Sequence, residues 1–168
     1  WRDGQQHGAG TGRCQGGGPA GAATTRANNY TVIYNNVTGT VDSAEVNVEM
    51  TATDGELGTI TMAGVERATV NASGGFDASY KLATPNATSL TINNEADSTA
   101  SDSNAGTVTI TSNLAETLNI NSLGDLVVND NTNKLSKLTS VNINSQTADK
   151  TVDLTSLTTT ATALVTDG

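Results

Sequence analysis

Leu118-Asn119-Ile120-Asn121 alternates an aliphatic side chain with an amide, and the pattern returns along the chain. It recurs as Leu90-Thr91-Ile92-Asn93, Val108-Thr109-Ile110-Thr111, Val141-Asn142-Ile143-Asn144 and Val152-Asp153-Leu154-Thr155. Side chains alternate across a strand with a period of two, so each copy reads as a short strand with one dry face and one wet face. Recurrence of one small unit, instead of a single irregular core, is the signature of a solenoid.

The interval between copies is regular. Val48, Val70 and Ile92 lie 22 residues apart, and Ile60 to Leu82 is again 22. Ile120, Ile143 and Val165 follow one another at 23 and 22, whereas Ile92 to Ile120 is 28. The polar stretch 93–106 supplies that excess as a looped-out insertion. Strands are expected near 30–34, 45–50, 58–62, 67–71, 79–82, 88–93, 107–111, 116–121, 125–129, 140–144, 151–155 and 162–166. The two prolines, Pro19 and Pro85, fall outside all of them, as they must where a ladder hydrogen bond is needed. The fold expected is all-β, a parallel β-solenoid (β-helix) with coils of about 22 residues. The alternative is an antiparallel β-sandwich. Tight two-residue hairpins would favour the sandwich, but the Asn-Gly dipeptide does not occur.

Two segments differ in texture. Residues 1–27 are glycine-rich, without alternation, and read as a flexible segment or an expression scar. Their His7 and Cys14 match no zinc-ligand spacing. Residues 28–168 read as the repeat domain. A start at Trp1 and a stop just after the strand-like Ala163-Leu164-Val165-Thr166 suggest a piece of a longer chain.

Hydrophobic residues make up 35% of the 168, charged residues 15% and aromatic residues 3%, with Thr, Asn, Ser, Ala and Gly filling the difference. The net charge is -9, and three of the eight cations (Arg2, Arg13, Arg26) lie in the opening segment. So acidic a repeat region repels phosphate backbones, which argues against nucleic-acid binding. No apolar run approaches the roughly 20 residues of a membrane helix. The one cysteine permits no intrachain disulfide.

Acidic charge and oxygen-rich turns suit hard divalent cations, which bind through carboxylates, amides and carbonyls. Asn129, Asp130 and Asn131 form the densest such turn, Asp149 and Asp153 a second group, and Asp97, Asp102 and Asn104 a third. These are the calcium candidates, with Asn129, Asp130, Asn131, Asp149 and Asp153 the best placed. Neither the RTX nonapeptide nor the EF-hand loop occurs, and Asn and Asp are also the ordinary residues of turns. Catalysis commonly draws on His, Cys or Lys or on paired acids in a pocket. After the opening segment the chain has no His and no Cys, and its acid pairs, Asp125 with Asp130 and Asp149 with Asp153, read as turn chemistry. The chain is therefore expected not to be an enzyme. Rows of Thr and Asn on outward positions resemble ice-binding arrays only in part, because Thr gives way to Asn and Asp.

From Thr107 to Thr166 the wording (TVTITSNLAETLNINSLGDLVVND, then KLTSVNINSQTADKTVDLTSLTTTATALVTDG) resembles the repeat regions of bacterial S-layer proteins and of large type I-secreted adhesins. The resemblance covers roughly residues 40–168 and rests on acidic, Thr/Asn-rich, nearly Cys-free β repeats. It implies an extracellular, cell-surface, calcium-dependent structural protein that self-associates into a lattice or filament. The alternatives are an adhesin module that recognises a surface or host glycan, and a polysaccharide-processing β-helix.

Overall fold

The computed structural model describes residues 10–16, 30–33, 41–50, 55–74, 78–95, 106–131, 135–145, 150–157 and 162–167. These residues form thirteen strands: β1 (Gly10–Gly16), β2 (Tyr30–Ile33), β3 (Ser43–Met50), β4 (Gly55–Ala63), β5 (Arg67–Gly74), β6 (Ala78–Ala83), β7 (Ser89–Asn94), β8 (Gly106–Thr111), β9 (Thr117–Ser122), β10 (Leu126–Asp130), β11 (Ser140–Ser145), β12 (Val152–Asp153) and β13 (Thr162–Asp167). Odd-numbered strands build one seven-stranded sheet in chain order, and even-numbered strands build a six-stranded sheet in the same order. Every pairing is parallel. The chain thus alternates between the two sheets and climbs one strand position per coil, which is a parallel β-solenoid and excludes the antiparallel sandwich. Strand β1 falls inside the stretch 1–27 read from composition as a flexible segment, and it pairs with β3.

Register makes the core homotypic. Val46, Val70, Ile92, Ile120 and Ile143 stack on one another along the seven-stranded sheet, and Ala44, Ala68, Leu90, Leu118 and Val141 form the neighbouring column. All ten are buried. The first step of the column differs from the sequence expectation: Val46, two residues before Val48, stacks on Val70, and Val48 stacks on Ala72. That coil is 24 residues long, with Ser43 opposite Arg67 and the Arg67 N–H donating to the Asp42 carbonyl at the corner. From the six-stranded sheet, Ile60, Leu82 and Ile110 stack in a third column, with Tyr80 and Val108 beside them. Burial of an aliphatic side chain contributes about 1.5–3 kcal/mol, and like-on-like stacking lets successive coils use the same rotamers.

Each tight corner leading back to the seven-stranded sheet uses one repeated device. The carbonyl of Asp42 accepts from the backbone N–H groups of Glu66 and Arg67 at 3.1 and 2.9 Å. Glu66 does the same for Thr88 and Ser89, Thr88 for Glu116 and Thr117, and Glu116 for Thr139 and Ser140. A carbonyl has two lone pairs, and here both are used at four successive levels. Buried Val65, Ala87, Ala115 and Leu138 fill the corner from inside. Gly64 has φ of 81°, a left-handed conformation that glycine adopts without steric cost, and its N–H donates to Asn86 Oδ1 on the next coil.

Candidate functional surface

With aliphatics turned inward at even positions of β3 and β5, the neighbouring odd positions must face out. The outward residues of the seven-stranded sheet stand in columns because the strands beneath them are in register. One column is Asn47, Asn71, Asn93, Asn121 and Asn144. Its first four amides are joined: Asn71 Nδ2 donates to Asn47 Oδ1 at 2.7 Å, Asn93 Nδ2 to Asn71 Oδ1 at 2.6 Å, and Asn121 Nδ2 to Asn93 Oδ1 at 2.6 Å. Asn71 also donates to Glu45 Oε1 at 2.8 Å. In the adjacent column Asn142 Nδ2 donates to Asn119 Oδ1 at 2.8 Å. An amide carries two donor hydrogens and two acceptor lone pairs, so a ladder that uses one of each leaves further hydrogen-bonding capacity facing outward.

Sequence reading singles out Asn119, Asn121, Asn142 and Asn144 as outward residues and treats them as solvated strand positions, without linking them to Asn47, Asn71 and Asn93. The signal that would reveal the ladder is their constant offset: each Asn follows a stacked core residue (Val46, Val70, Ile92, Ile120, Ile143) by one position.

The surface is not uniform. On β3 and β5 it carries Glu45, Glu49 and Arg67; on β7, β9 and β11 it presents Ser89, Thr91, Asn93, Thr117, Asn119, Asn121, Ser140, Asn142 and Asn144, with no ionisable group among them. Beside the ladder, Asn47, Asn71, Ser73, Glu49 and Glu95 line a shallow groove of about 500 Å³.

The expected calcium residues are distributed over the second sheet. Asn129 and Asp130 end β10, and Asp153 lies on β12, in register with Val127. Asp130 is therefore three residues further along its strand, roughly 10 Å, and of opposite side-chain phase. Asp130 Oδ2 accepts from the N–H of Leu135 at 3.4 Å, Asn131 Nδ2 donates to Thr111 Oγ1 at 3.1 Å, and Asp153 Oδ1 accepts from the N–H of Thr155 at 2.8 Å. That last bond holds the Asp153 carboxyl below its ordinary pKa. Asp149 lies outside the described residues, as do Asp97, Asp102 and Asn104. Asn129, Asp130 and Asn131 are adjacent, whereas Asp153 is apart from them, and among the described residues no group of three or more His, Cys, Asp or Glu side chains converges.

Asp125, read from the sequence as a turn residue, engages the turn of the next coil. Its Oδ1 accepts from the N–H and Oγ1 of Thr151 at 2.7 and 3.1 Å, and its Oδ2 pairs with Lys150 Nζ at 3.2 Å. The backbone N–H of Thr151, followed by the Lys150 ammonium, holds this carboxyl below the usual carboxylate range. One side chain thereby ties two successive coils at the turn between sheets.

Among the described residues no helix is long and apolar enough to cross a membrane. No family model, no curated protein and no solved structure matches this chain.

Proposed function

We propose that the chain is a structural repeat region of an extracellular cell-surface protein, working through self-association into a lattice or filament and without catalysis. The observation that carries this reading is the amide ladder on a solenoid whose successive coils stack in register. Such a body is a one-dimensional spacer that repeats one outward amide position from coil to coil. Polar side chains such as Asp125 and Asn93 help to hold one coil to the next. Calcium is included in the proposal on chemical grounds, since oxygen-rich turns such as Asn129–Asn131 suit a hard cation and an acidic chain gains from neutralisation.

The test is thermal unfolding by circular dichroism together with size-exclusion chromatography, with and without millimolar calcium. A β-rich signal whose melting temperature and assembled size both rise with calcium supports the proposal. Assembly without a calcium response retains the lattice and removes the cation. A monomer under all conditions removes the self-association.

The groove beside the ladder favours a second reading, an adhesin module that recognises a glycan. Amides, a hydroxyl and carboxylates at its walls are acceptors and donors of the kind sugar hydroxyls need. Sugar-specific retention by a monomer selects it, and substitution of Ser73 and Asn71 should then abolish the retention.

A further inference from the structure

The self-association just proposed leaves open which surface meets which, and charge narrows the choice. Two copies of a chain of net charge -9 repel one another at long range. Contact costs least where neither copy carries charge and where the groups offered are their own complement. The outer face of β7, β9 and β11 meets both conditions: its nine outward residues are Ser, Thr or Asn. Charged residues flank this patch on one side, with Glu45 and Glu49 on β3 and Arg67 on β5. Others lie beyond strand ends, with Glu95 after β7 and Glu116 before β9, so charge lies at its margin rather than its centre, as in protein interfaces. Outward Lys81 and Asp153 interrupt the corresponding face of the other sheet.

From this geometry we infer that a second copy of the chain docks on the outer face of β7, β9 and β11, amide ladder against amide ladder. The inference rests on the self-association reading and deepens it. Amide and hydroxyl groups are both donor and acceptor, so a two-fold related copy finds a partner for each group, as an isologous contact requires. Registered asparagine ladders on packed sheets are also the arrangement that stabilises steric zippers. The face has no aromatic side chain on which a sugar ring would stack, which favours a protein copy over a glycan as its occupant. Three strands with three outward residues each offer roughly 300 Å² of flat surface, against about 800 Å² per partner in a stable dimer. Association through one such face is therefore weak and gains strength only by repetition.

The experiment is sedimentation velocity on the full 168-residue chain from micromolar to about 1 mM, at low and moderate salt, with circular dichroism melts to establish folding. Thr91→Lys with Thr117→Lys charges the face, and Thr107→Lys with Thr109→Lys makes the same change on the other sheet. Each pair moves the net charge from -9 to -7 (two added cations) and so reduces overall repulsion equally. Docking on the neutral face predicts that wild type associates, more strongly as salt rises. The first pair then weakens association about tenfold or more, despite its lower net charge, and the second leaves it unchanged or stronger. Equal association of both folded pairs overturns the assigned face and leaves self-association standing. A wild type that stays monomeric throughout overturns both. If the first pair fails to fold, Ser89→Lys with Ser140→Lys on the rim of the same face is read by the same criteria.

Discussion

Asn121 donates to Asn93 across 2.6 Å, the same distance at which Asn93 donates to Asn71, although 28 residues separate the first pair and 22 the second. The length of chain between two coils therefore does not set the ladder. Strand register does: Asn93 sits opposite Asn121 on β9 and opposite Asn71 on β5, each one strand spacing away. The apolar columns on the reverse of the same strands hold that register, since a one-residue slip would turn Ile92 and Ile120 out to water.

Asn93→Ala should remove both of these bonds and destabilise the chain by about 1–2 kcal/mol in urea unfolding, each bond contributing about 0.5–1.5 kcal/mol. Asn93→Asp is more informative. Its carboxylate accepts from Asn121 but has no hydrogen to give Asn71, so oxygen faces oxygen. The folded state then favours the protonated acid, raising its pKa above the unfolded value. Stability relative to wild type should be closest below about pH 4 and fall as pH rises through the native value. Paired urea titrations at pH 3.5 and pH 7 check this, and a difference independent of pH contradicts it.

Tyr80 is buried on the inner face of the six-stranded sheet, and among the described residues its hydroxyl has no hydrogen-bond partner. The strand beside it bulges: Glu56 pairs with Ser79 and Thr59 with Lys81, leaving two residues opposite the ring-bearing position. An unsatisfied buried hydroxyl costs about 1–3 kcal/mol, so Tyr80→Phe should stabilise the chain by about 1 kcal/mol. Burial also pushes the phenol pKa well above its ordinary value. Below about pH 10 both states hold the proton. Above it the unfolded chain loses the proton while the folded chain keeps it, so wild-type stability falls with rising pH. Melts at pH 8 and pH 11 should show the gain from Tyr80→Phe widening at the higher pH.

Much of this architecture is legible in the sequence, and what is not has a physical cause. Alternation locates strands because burial imposes it, and the Ile92, Ile120 and Ile143 column follows from spacing alone. The step from Val46 to Val70 is missed because β3 offers Val46 and Val48 as equal aliphatics, and spacing does not reveal the register of β3 against β5 that sets Val46 opposite Val70. Strand β1 is missed because Gly10–Gly16 lacks the aliphatics that announce a strand. Bonds among outward amides are likewise hidden: an exposed asparagine and a laddered one are the same letter until register is known. Turn acids pose the converse difficulty. Asp125, Asp130 and Asp153 look alike in the chain, yet Asp130 and Asp153 accept from nearby N–H groups while Asp125 accepts from Thr151 and Lys150 of the next coil.

Asp125 should matter chiefly as an acceptor. Asp125→Ala leaves the N–H of Thr151 and the ammonium of Lys150 without their carboxylate and should cost about 1 kcal/mol. Asp125→Asn retains an acceptor for Thr151 and should cost less. Because the folded pKa lies below the unfolded one, the carboxylate's contribution is complete above about pH 4 and is lost as pH falls through the native value. The gap between wild type and Asp125→Ala should therefore narrow in acid, as measured by urea midpoints at pH 7 and pH 2.5. A gap that stays constant would show that the charge contributes nothing.

The long interval between Ile92 and Ile120 makes the last prediction. Residues 96–105 join Glu95, whose N–H donates to Ala72 O at 2.7 Å, to Gly106, whose N–H donates to Asp125 O at 3.2 Å. Residues 75–77 alone make the equivalent connection from β5 to β6. Deleting residues 98–103 shortens the interval from 28 to 22, the length that already carries the ladder from Asn71 to Asn93. Register should survive, and the smaller closure entropy should raise stability by about 0.5–1 kcal/mol. Unfolding by urea reads that change, and a loss of more than about 1 kcal/mol would mean the segment packs on the solenoid. The same variant separates the calcium candidates, because it removes Asp102 from the group Asp97, Asp102 and Asn104 and leaves Asn129–Asn131 untouched. A calcium-induced rise in melting temperature that disappears after deletion points to the deleted segment, and one that persists points to Asn129–Asn131 or to Asp149 with Asp153.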